Sequence, residues 1–342
     1  MGQSRGGLIV ASRLLVAALV ALAILAPLAG PAVGAYLSTA PPPARGGLSV
    51  EALCSIEAHP VLSRPVWGGG YIGLLAQAGP GEALALEVYN ASTGALAWRV
   101  MLKPGLQVEG FSLAPDGAAA VALRGGVVVY ASGGRVLWSI NTSPATPGVP
   151  VWGPRGSVVV VPLPGRVDAY SRAGGRLWSI DLGEPAVGSL TPEGPTWSPD
   201  GGLIAFRASH GLLGVLLVVN ATTGRVVFDS SHADLIGVRG YAWSPDGSML
   251  AVYDSNEGLV VLSRGGWRAL WSRPLLAQPS YLAWVDGAHL VVAAGPGVSL
   301  YDSTGRILLH LEMPGPDYAV AAGPARGGPP RGEQDGGRSL RL

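Results

Sequence analysis

Four residues near the middle of the chain carry the side chains that a metal site needs. They are His210, Asp229, His232 and Asp234. Two imidazoles and two carboxylates can together hold Zn²⁺ or a similar ion. The chain contains neither a His-Glu-x-x-His sequence nor an EF-hand loop, so no spaced metal motif supports this grouping. We therefore predict no metal cofactor and keep His210 and His232 as the candidate ligands should an ion bind.

Other catalytic signatures are missing from the sequence. No Gly-x-Ser-x-Gly elbow and no P-loop occurs. The single cysteine, Cys54, excludes an intrachain disulfide and a vicinal-cysteine site. We predict that the protein is not an enzyme and uses no cofactor. A quinone- or metal-dependent enzyme that binds a small molecule stays open as an alternative.

The composition favours a chain of many turns. Of 342 residues, 52 are Gly and 29 are Pro, and both residue types break helix interiors. Charged residues make up 13%, against about 25% in an ordinary soluble domain. The formal net charge is +1, so the charge balance predicts no nucleic-acid partner.

Two ten-residue stretches of the chain are almost the same. WSPDGGLIAF begins at Trp197 and WSPDGSMLAV begins at Trp243. Similar stretches, with an aromatic residue, a turn and an apolar run, begin at Trp67, Phe111, Trp152 and Trp284. After each one comes a strand, a Gly-containing turn and another strand, as in VVVYASGGRVLWSI (127–140). The sequence therefore contains six repeats of four short strands.

Turn geometry explains why the same residue types recur in the repeats. In Ser-Pro-Asp-Gly, Pro presets one backbone angle, Asp suits the next position and Gly accepts a left-handed conformation. The turn aspartates are Asp116, Asp200 and Asp246. Four strands in every 40–50 residues is the period of a propeller blade. We predict an all-β fold, a β-propeller of four-stranded antiparallel blades. Six blades are legible, and the strand candidates 48–56 and 317–323 leave seven open.

Several repeats resemble known propeller families. The segment from His232, HADLIGVRGYAWSPDGSMLAVYDSNEGLVVL, resembles a WD-repeat unit, with a leading His, a Ser-Pro-Asp-Gly turn and a later Asp-containing turn. WSPDGGLIAFRAS is similar to the TolB-like repeat, and GGRVLWSI and GGRLWSI are similar to quinoprotein-type repeats. No repeat ends its third strand in Trp-Asp, which departs from the WD pattern. The resemblance covers roughly residues 61–314 and implies a generic propeller.

The propeller resemblance also implies where a partner would bind. In propellers the Pro-Asp-Gly and Thr-Gly turns lie on one face, and the loops on the opposite face usually bind, since binding residues tend to lie on loops held by a rigid scaffold. Mapped onto this chain, the predicted binding face comprises Arg124, Arg166, Arg207, Asp229, Asp234, Arg239, Asp254, Glu257 and Arg273.

The ends of the chain differ from the repeats. Residues 14–35 carry no charge and follow Arg5 and Arg13, which predicts a secretory signal or a membrane anchor within residues 1–35. Residues 36–47 form a Pro/Gly linker, 48–316 the propeller, and 317–342 a strand candidate and a polar tail. Asn-x-Ser/Thr triplets begin at Asn90, Asn141 and Asn220. They are either glycosylation acceptors or ordinary turn residues.

These patterns together predict a binding or scaffolding module outside the cytoplasm, secreted or anchored by its N-terminal segment. Its partner would be another envelope or surface protein, and it would contact a membrane only through an uncleaved N-terminal segment. Two alternatives remain: an enzyme with a small-molecule site at the propeller mouth, and a structural surface-layer or adhesion protein.

Overall fold

A computed structural model describes residues 62–63, 65–78, 84–103, 105–182, 194–210, 213–275 and 277–312. Within these residues the chain forms 24 strands and one short 3₁₀ helix. The strands are grouped as six sheets of four, each made of four consecutive strands. The predicted all-β propeller of four-stranded antiparallel blades is confirmed, and six blades match the structure.

The strand bounds are as follows. Blade 1 holds β1 (Val66–Gly68), β2 (Tyr71–Gln77), β3 (Leu84–Asn90) and β4 (Leu96–Met101), and blade 2 holds β5 (Val108–Leu113), β6 (Ala119–Leu123), β7 (Gly126–Tyr130) and β8 (Val136–Asn141). Blade 3 holds β9 (Val151–Trp152), β10 (Val158–Leu163), β11 (Arg166–Ser171) and β12 (Arg176–Asp181), and blade 4 holds β13 (Thr196–Trp197), β14 (Leu203–His210), β15 (Leu213–Asn220) and β16 (Val226–Asp229), followed by the 3₁₀ helix η1 (Ser230–Ala233). Blade 5 holds β17 (Val238–Trp243), β18 (Met249–Asp254), β19 (Gly258–Ser263) and β20 (Ala269–Arg273), and blade 6 holds β21 (Pro279–Trp284), β22 (His289–Ala294), β23 (Gly297–Asp302) and β24 (Ile307–Glu312).

The blades belong to two compact units. Blades 1 to 4 lie in the unit Cys54–Val238, and the strands of blades 5 and 6 lie almost wholly in the unit formed by Met1–Leu53 and Arg239–Leu342. Residues 1–61 and 313–342 lie outside the described residues, so the signal segment, the linker, Cys54, the strand candidates 48–56 and 317–323 and the tail stay predictions. No helix among the described residues is long and apolar enough to cross a membrane.

The hydrophobic core lies between successive blades. One cluster joins Trp98 of blade 1 to Phe111 and Tyr130 of blade 2. Equivalent clusters join blades 2 and 3, blades 3 and 4, and blades 5 and 6. The second and third strands supply most of the fully buried residues, which explains why their sequences are continuous apolar runs instead of alternating ones.

The Ser-Pro-Asp-Gly turns work as the sequence predicts. The turn glycines Gly201 and Gly247 adopt φ angles of 71° and 70°, in the left-handed region that favours glycine. A buried serine, Ser244, donates its hydroxyl proton to Asp246 Oδ1 over 2.6 Å. Ser244 Oγ also accepts the Met249 N–H over 2.9 Å. The serine and the aspartate thus close the hairpin between the first two strands.

A second aromatic position, in the fourth strand, joins several blades to the next one. Trp178, in the fourth strand of blade 3, donates its indole N–H to the Ala221 carbonyl of blade 4 over 2.9 Å. Trp138 and Trp271 make the same bond to the following blade, to the carbonyls of Arg172 and Ser303. In the register of Trp178, blade 4 has Phe228 and blade 6 has Leu309, which lack an N–H donor.

A glycine of the following blade lies close to each of these tryptophans and to Trp98 of blade 1. A Cβ added to Gly134, Gly174, Gly224 or Gly305 would lie 3.3, 2.8, 2.9 or 2.6 Å from an indole atom of the preceding blade. All four glycines have positive φ and lie in the turn between the third and fourth strands. In blade 5 the equivalent residue is Trp267, which keeps the left-handed φ of 55° and meets Trp243 edge to face at 6.1 Å. A non-glycine residue in this region is uncommon, and a bulky one more so.

The six repeat aromatics of the first strands differ in exposure: four are buried, Trp197 is half-buried and Trp67 is exposed. Phe111, Trp152, Trp243 and Trp284 are each less than 9% exposed. Trp67 pairs in the expected register, opposite Ile72, but is 62% exposed. Among the described residues, Trp67 therefore keeps the repeat's strand pairing without being buried.

Candidate functional site

Each blade has two ends with different chemistry. We call the end with the turns between strands one and two, and three and four, the hairpin end. The loop end has the turns between strands two and three and the connections to the next blade. The predicted binding residues were assigned to the loop end, and the predicted turn aspartates belong to the hairpin end.

The hairpin end is held together by contacts between blades. Arg172 of blade 3 forms an ion pair with Asp116 of blade 2, with 2.6 Å between Nη2 and Oδ2. The Arg172 guanidinium also lies over the Trp152 ring at 5.6 Å and donates to the Gly156 carbonyl. Burial raises the pKa of Asp116, but the hydrogen bond from Arg172 and nearby backbone N–H groups outweigh it and leave the pKa below its usual value. At this end, blades 2 and 3 are held together by an ion pair.

The loop end of blades 2 and 3 presents two arginines. Arg124 is exposed and donates from Nη1 to Gln107 Oε1 over 2.8 Å. Arg166 is half exposed and lies 3.3 Å, Nε to Oδ2, from Asp168. Both follow the second strand of their blade, as the sequence predicted. Both arginines therefore present exposed positive charge on short turns, and each has a polar neighbour within its own blade or the turn before it.

Asp168 is a feature that the sequence reasoning missed. The carboxylate is fully buried and accepts hydrogen bonds from Tyr170 Oη at 3.0 Å and Ser179 Oγ at 2.6 Å. Burial and the Asp168 charge raise the pKa of Tyr170 to about 12. Because a buried charge needs partners, this network fixes Asp168, and Asp168 in turn holds Arg166 at the loop end. The sequence does mark this buried network: it places an acidic residue inside an apolar strand, two positions before a tyrosine.

Blade 1 repeats this arrangement. Glu87 is fully buried, accepts a hydrogen bond from Tyr89 Oη at 2.6 Å and lies 2.9 Å, Oε1 to Nε, from Arg99. Burial, and then the hydrogen bond to Glu87, raise the pKa of Tyr89 well above its usual range. The two acidic residues occupy the same position in their blades. Each lies one residue before the third-strand residue that pairs with the fourth-strand tryptophan.

In blade 4 the predicted residues build the loop end itself. Asp229 caps η1 by accepting from the Ser231 N–H over 2.9 Å, and Asp234 ends η1 with a left-handed φ of 59°. The buried Ser230 hydroxyl binds the Leu216 N–H and the Leu235 carbonyl. Asp234 is exposed, whereas Asp229 is half-buried.

Arg207 also lies within blade 4. It is part of the long strand β14, and a Cβ added to Gly214 would lie 2.3 Å from its Nε. The glycine thus makes room for the arginine side chain, which is half-buried instead of fully exposed on the loop end.

The candidate metal ligands do not come together as a described cluster. His232 is exposed in the last turn of η1. The side chain of His210 lies outside the described part of the structure. Among the described residues, no group of three or more His, Cys, Asp or Glu side chains could hold a metal ion.

Blades 5 and 6 place their predicted residues in different environments. Arg239 and Glu257 are exposed. Asp254 is fully buried and accepts from the Asn256 and Glu257 N–H groups, so it shapes the turn. Arg273 donates from Nε to the Gly305 carbonyl over 3.0 Å and packs toward the neighbouring hairpin. The exposed charges among these predicted residues are Arg239, Glu257 and Arg273, of which Arg273 is also bonded to the neighbouring blade.

The fold and the sequence of this chain match a known class and a known family of proteins. The fold is a β-propeller built from sequence repeats. A family profile described as outer membrane protein assembly factor BamB matches residues 85–234 and 124–281, which together span more than half of the chain. The chain belongs to this family.

Two solved structures are similar to the chain. The crystal structure of BamB from Moraxella catarrhalis is 18% identical, with 76% of each chain covered and a TM-score of 0.49. KlHsv2, with its loop 6CD replaced by a Gly-Ser linker, is 15% identical, with 72% of this chain and 83% of that chain covered and a TM-score of 0.51. No curated protein matches the sequence. The resemblance to WD-repeat and TolB-like units stays a prediction.

Proposed function

We propose that this protein is a binding propeller outside the cytoplasm, and that its loop end holds another envelope protein. The observation that carries the proposal is the match, over more than half of the chain, to a family described as an outer membrane protein assembly factor. An assembly factor acts by holding partners, and the chain's lack of a nucleophile or metal motif agrees with a role without catalysis.

The geometry favours the loop end as the contact surface. At the hairpin end of blades 2 and 3, Arg172 is bound to Asp116 and to the Gly156 carbonyl. At the loop end of blade 2, Arg124 is exposed on a turn, and at the loop end of blade 5, Arg239 and Glu257 are exposed on a strand end and a turn of their own sheet. Arginine is enriched in protein interfaces because its guanidinium can pair with a carboxylate and stack on an aromatic ring at once. A partner with acidic and aromatic groups suits this surface.

The location follows from the N-terminal segment. Residues 14–35 form an uncharged stretch preceded by Arg5 and Arg13. In such a segment the arginines stay on the cytoplasmic side, so the blades would be delivered to the other side of the membrane. Whether the segment is cleaved decides between a secreted and an anchored protein.

A matched pair of substitutions in blade 2 tests the contact surface. Arg124 lies at the loop end and Arg135 lies at the hairpin end of the same blade, and both are exposed. A photo-reactive amino acid at position 124 should cross-link a discrete envelope protein in intact cells, and the same probe at position 135 should not. In a separate binding measurement with the captured protein, the charge reversal R124E should raise the Kd about fivefold or more, which corresponds to roughly 1 kcal/mol, whereas R135E should leave the Kd unchanged.

Two results would contradict the proposal. Cross-linking from position 135 to the same protein with equal yield would show that the loop end is not the contact surface. Cross-linking from neither position would remove the case for a bound envelope protein.

A further inference from the structure

Two of the Asn-x-Ser/Thr triplets lie at the same place in their blades. Asn90 ends the third strand of blade 1, and Asn220 ends the third strand of blade 4. Asn90 Oδ1 accepts from the Ser92 N–H at 2.9 Å, the Ser92 hydroxyl at 2.6 Å and the Thr93 N–H at 3.2 Å. Asn220 Oδ1 likewise accepts three hydrogen bonds, from the Thr222 and Thr223 N–H groups and the Thr223 hydroxyl.

The side-chain nitrogen of each asparagine is left free by this arrangement. Every hydrogen bond that these two amide groups make with the described residues uses Oδ1, and none uses Nδ2. The Oδ1 bonds fix the amide plane, so Nδ2 is held in one direction. The +2 residues, Ser92 and Thr222, are exposed.

The turn itself does not require asparagine. Blade 6 has Asp302 at the same position, and its Oδ1 accepts from the Thr304 N–H at 2.9 Å and the Thr304 hydroxyl at 2.6 Å. A carboxylate therefore builds the same turn without an amide nitrogen. Turn formation alone explains the side-chain oxygen at positions 90 and 220 and the hydroxyl residue that follows, but not the choice of an amide over a carboxylate.

The surroundings of Asn220 can accommodate a sugar. An open groove of about 530 Å³ is lined by Asn220, Thr223, Arg225, Val226 and Val227. Val226 and Val227 are 42% and 41% exposed on the outer strand of the blade. A pyranose ring has apolar faces and polar edges, and such a groove offers partners for both.

We propose that Asn90 and Asn220 carry N-linked glycans. In the modification, Nδ2 forms a bond to the anomeric carbon of a sugar delivered as a lipid-linked phosphate or diphosphate. The bond from that carbon to the phosphate oxygen breaks, the phosphate leaves with the electron pair, and Nδ2 loses one proton to a base of the transferring enzyme. The glycans cover apolar residues of the outer strands, Leu96 beside Asn90 and the two valines beside Asn220. The inference rests on the proposed location outside the cytoplasm. The third triplet, at Asn141, ends a fourth strand at the loop end and is outside the proposal.

The test is mass spectrometry of the full-length protein recovered from its native cells. Protease treatment of intact spheroplasts first establishes on which side of the membrane the blades lie. Peptides that contain Asn90 and Asn220 should then carry hexose-containing additions. The N90D and N220D variants, which keep the oxygen that builds the turn as in Asp302, should lose the addition at the changed site alone and keep the wild-type circular dichroism spectrum.

The outcomes separate the two proposals. Unmodified Asn90 and Asn220 in protein that is accessible from outside would overturn the glycosylation and leave the location intact. Blades that are protected inside spheroplasts, with both asparagines unmodified, would overturn the location and the glycosylation together. Occupied sites in accessible protein would support both.

Discussion

The close approach of Trp271 to Gly305 leads to a sharp prediction about how blades 5 and 6 are joined. Gly305 has a φ of 80°, and an added Cβ would lie 2.6, 2.8 and 2.9 Å from three atoms of the Trp271 ring. The ring cannot move away easily. Its N–H is bonded to the Ser303 carbonyl, and it stacks on Tyr301 at 5.9 Å.

Blade 5 offers a matched control for Gly305→Ala. Gly266 also lies in the turn between third and fourth strands and has a φ of 91°, but a Cβ there would meet nothing within 4 Å. Alanine in a left-handed conformation costs about 1–2 kcal/mol at either site. At Gly305, overpacking against the indole adds about 1–3 kcal/mol. We expect Gly266→Ala to lower the free energy of unfolding by about 1–2 kcal/mol and Gly305→Ala by about 2–5 kcal/mol.

The measurement is equilibrium unfolding in urea, followed by tryptophan fluorescence and circular dichroism. In the Trp271→Ala background, Gly305→Ala should cost no more than Gly266→Ala does in the wild type, because the ring is gone. Equal losses for the two glycine variants in the wild-type background would refute the idea that the tryptophan closes onto the glycine. A Gly305→Ala penalty that survives the removal of Trp271 would refute it as well.

Two further substitutions probe the repeated hydrogen bonds. Ser244→Ala removes the hydroxyl that binds Asp246 and the buried Met249 backbone and should cost about 1–3 kcal/mol in unfolding free energy. The Ser244 bond is the main reason why the pKa of Asp246 lies below its usual value, so this stabilisation is full above the unfolded pKa and is lost as the pH falls through the folded one. The gap between wild type and variant should therefore narrow below about pH 4, and a gap that stays constant from pH 6 to 3 would contradict this account. Trp178→Phe leaves the Ala221 carbonyl without its indole donor and should cost about 1–3 kcal/mol, and a thermal unfolding midpoint equal to that of the wild type would show that the bond contributes nothing.

The repeat could be predicted from the sequence because its turns are chemically distinctive. Gly201 and Gly247 take the left-handed conformation that Pro-Asp-Gly predicts, and the four-strand period follows from the spacing of such turns. The blade count needed the structure. Each described sheet uses four consecutive strands, so no strand from residues 48–56 or 317–323 is required to complete one.

The candidate site was harder to predict, because sequence does not show where a long side chain is directed. Arg273 lies at the end of a strand, as expected, but its guanidinium turns back to the Gly305 carbonyl. Asp254 follows a strand, as expected, but it is fully buried and bonds to its own turn. Arg124 was predicted from position alone and is exposed. Position along the strand was predictable, whereas the burial of Asp254 and the hydrogen-bond partner of Arg273 were not.

The fourth strand of every blade contains one extra residue opposite the third strand. The pairing shifts between Val88 and Tyr89 in blade 1, and at the equivalent point in the other five blades. The extra residues include Leu177, Val227, Leu270 and Leu308, all exposed. Such a bulge bends and twists the strand that contains it.

This irregularity bears on how readily the outer strands can pair with other molecules. An outer strand with apolar side chains and open backbone groups is a template on which a strand of another molecule can pair, and repeated pairing of this kind builds fibrils. A bulge interrupts the straight run of backbone groups that such pairing needs. In a chain with only 13% charged residues, backbone geometry thus supplies resistance to aggregation that other proteins obtain from charged edge residues. Deleting the extra residue of one blade, for example Leu177, would straighten that edge and make it a site where strands of other molecules can pair.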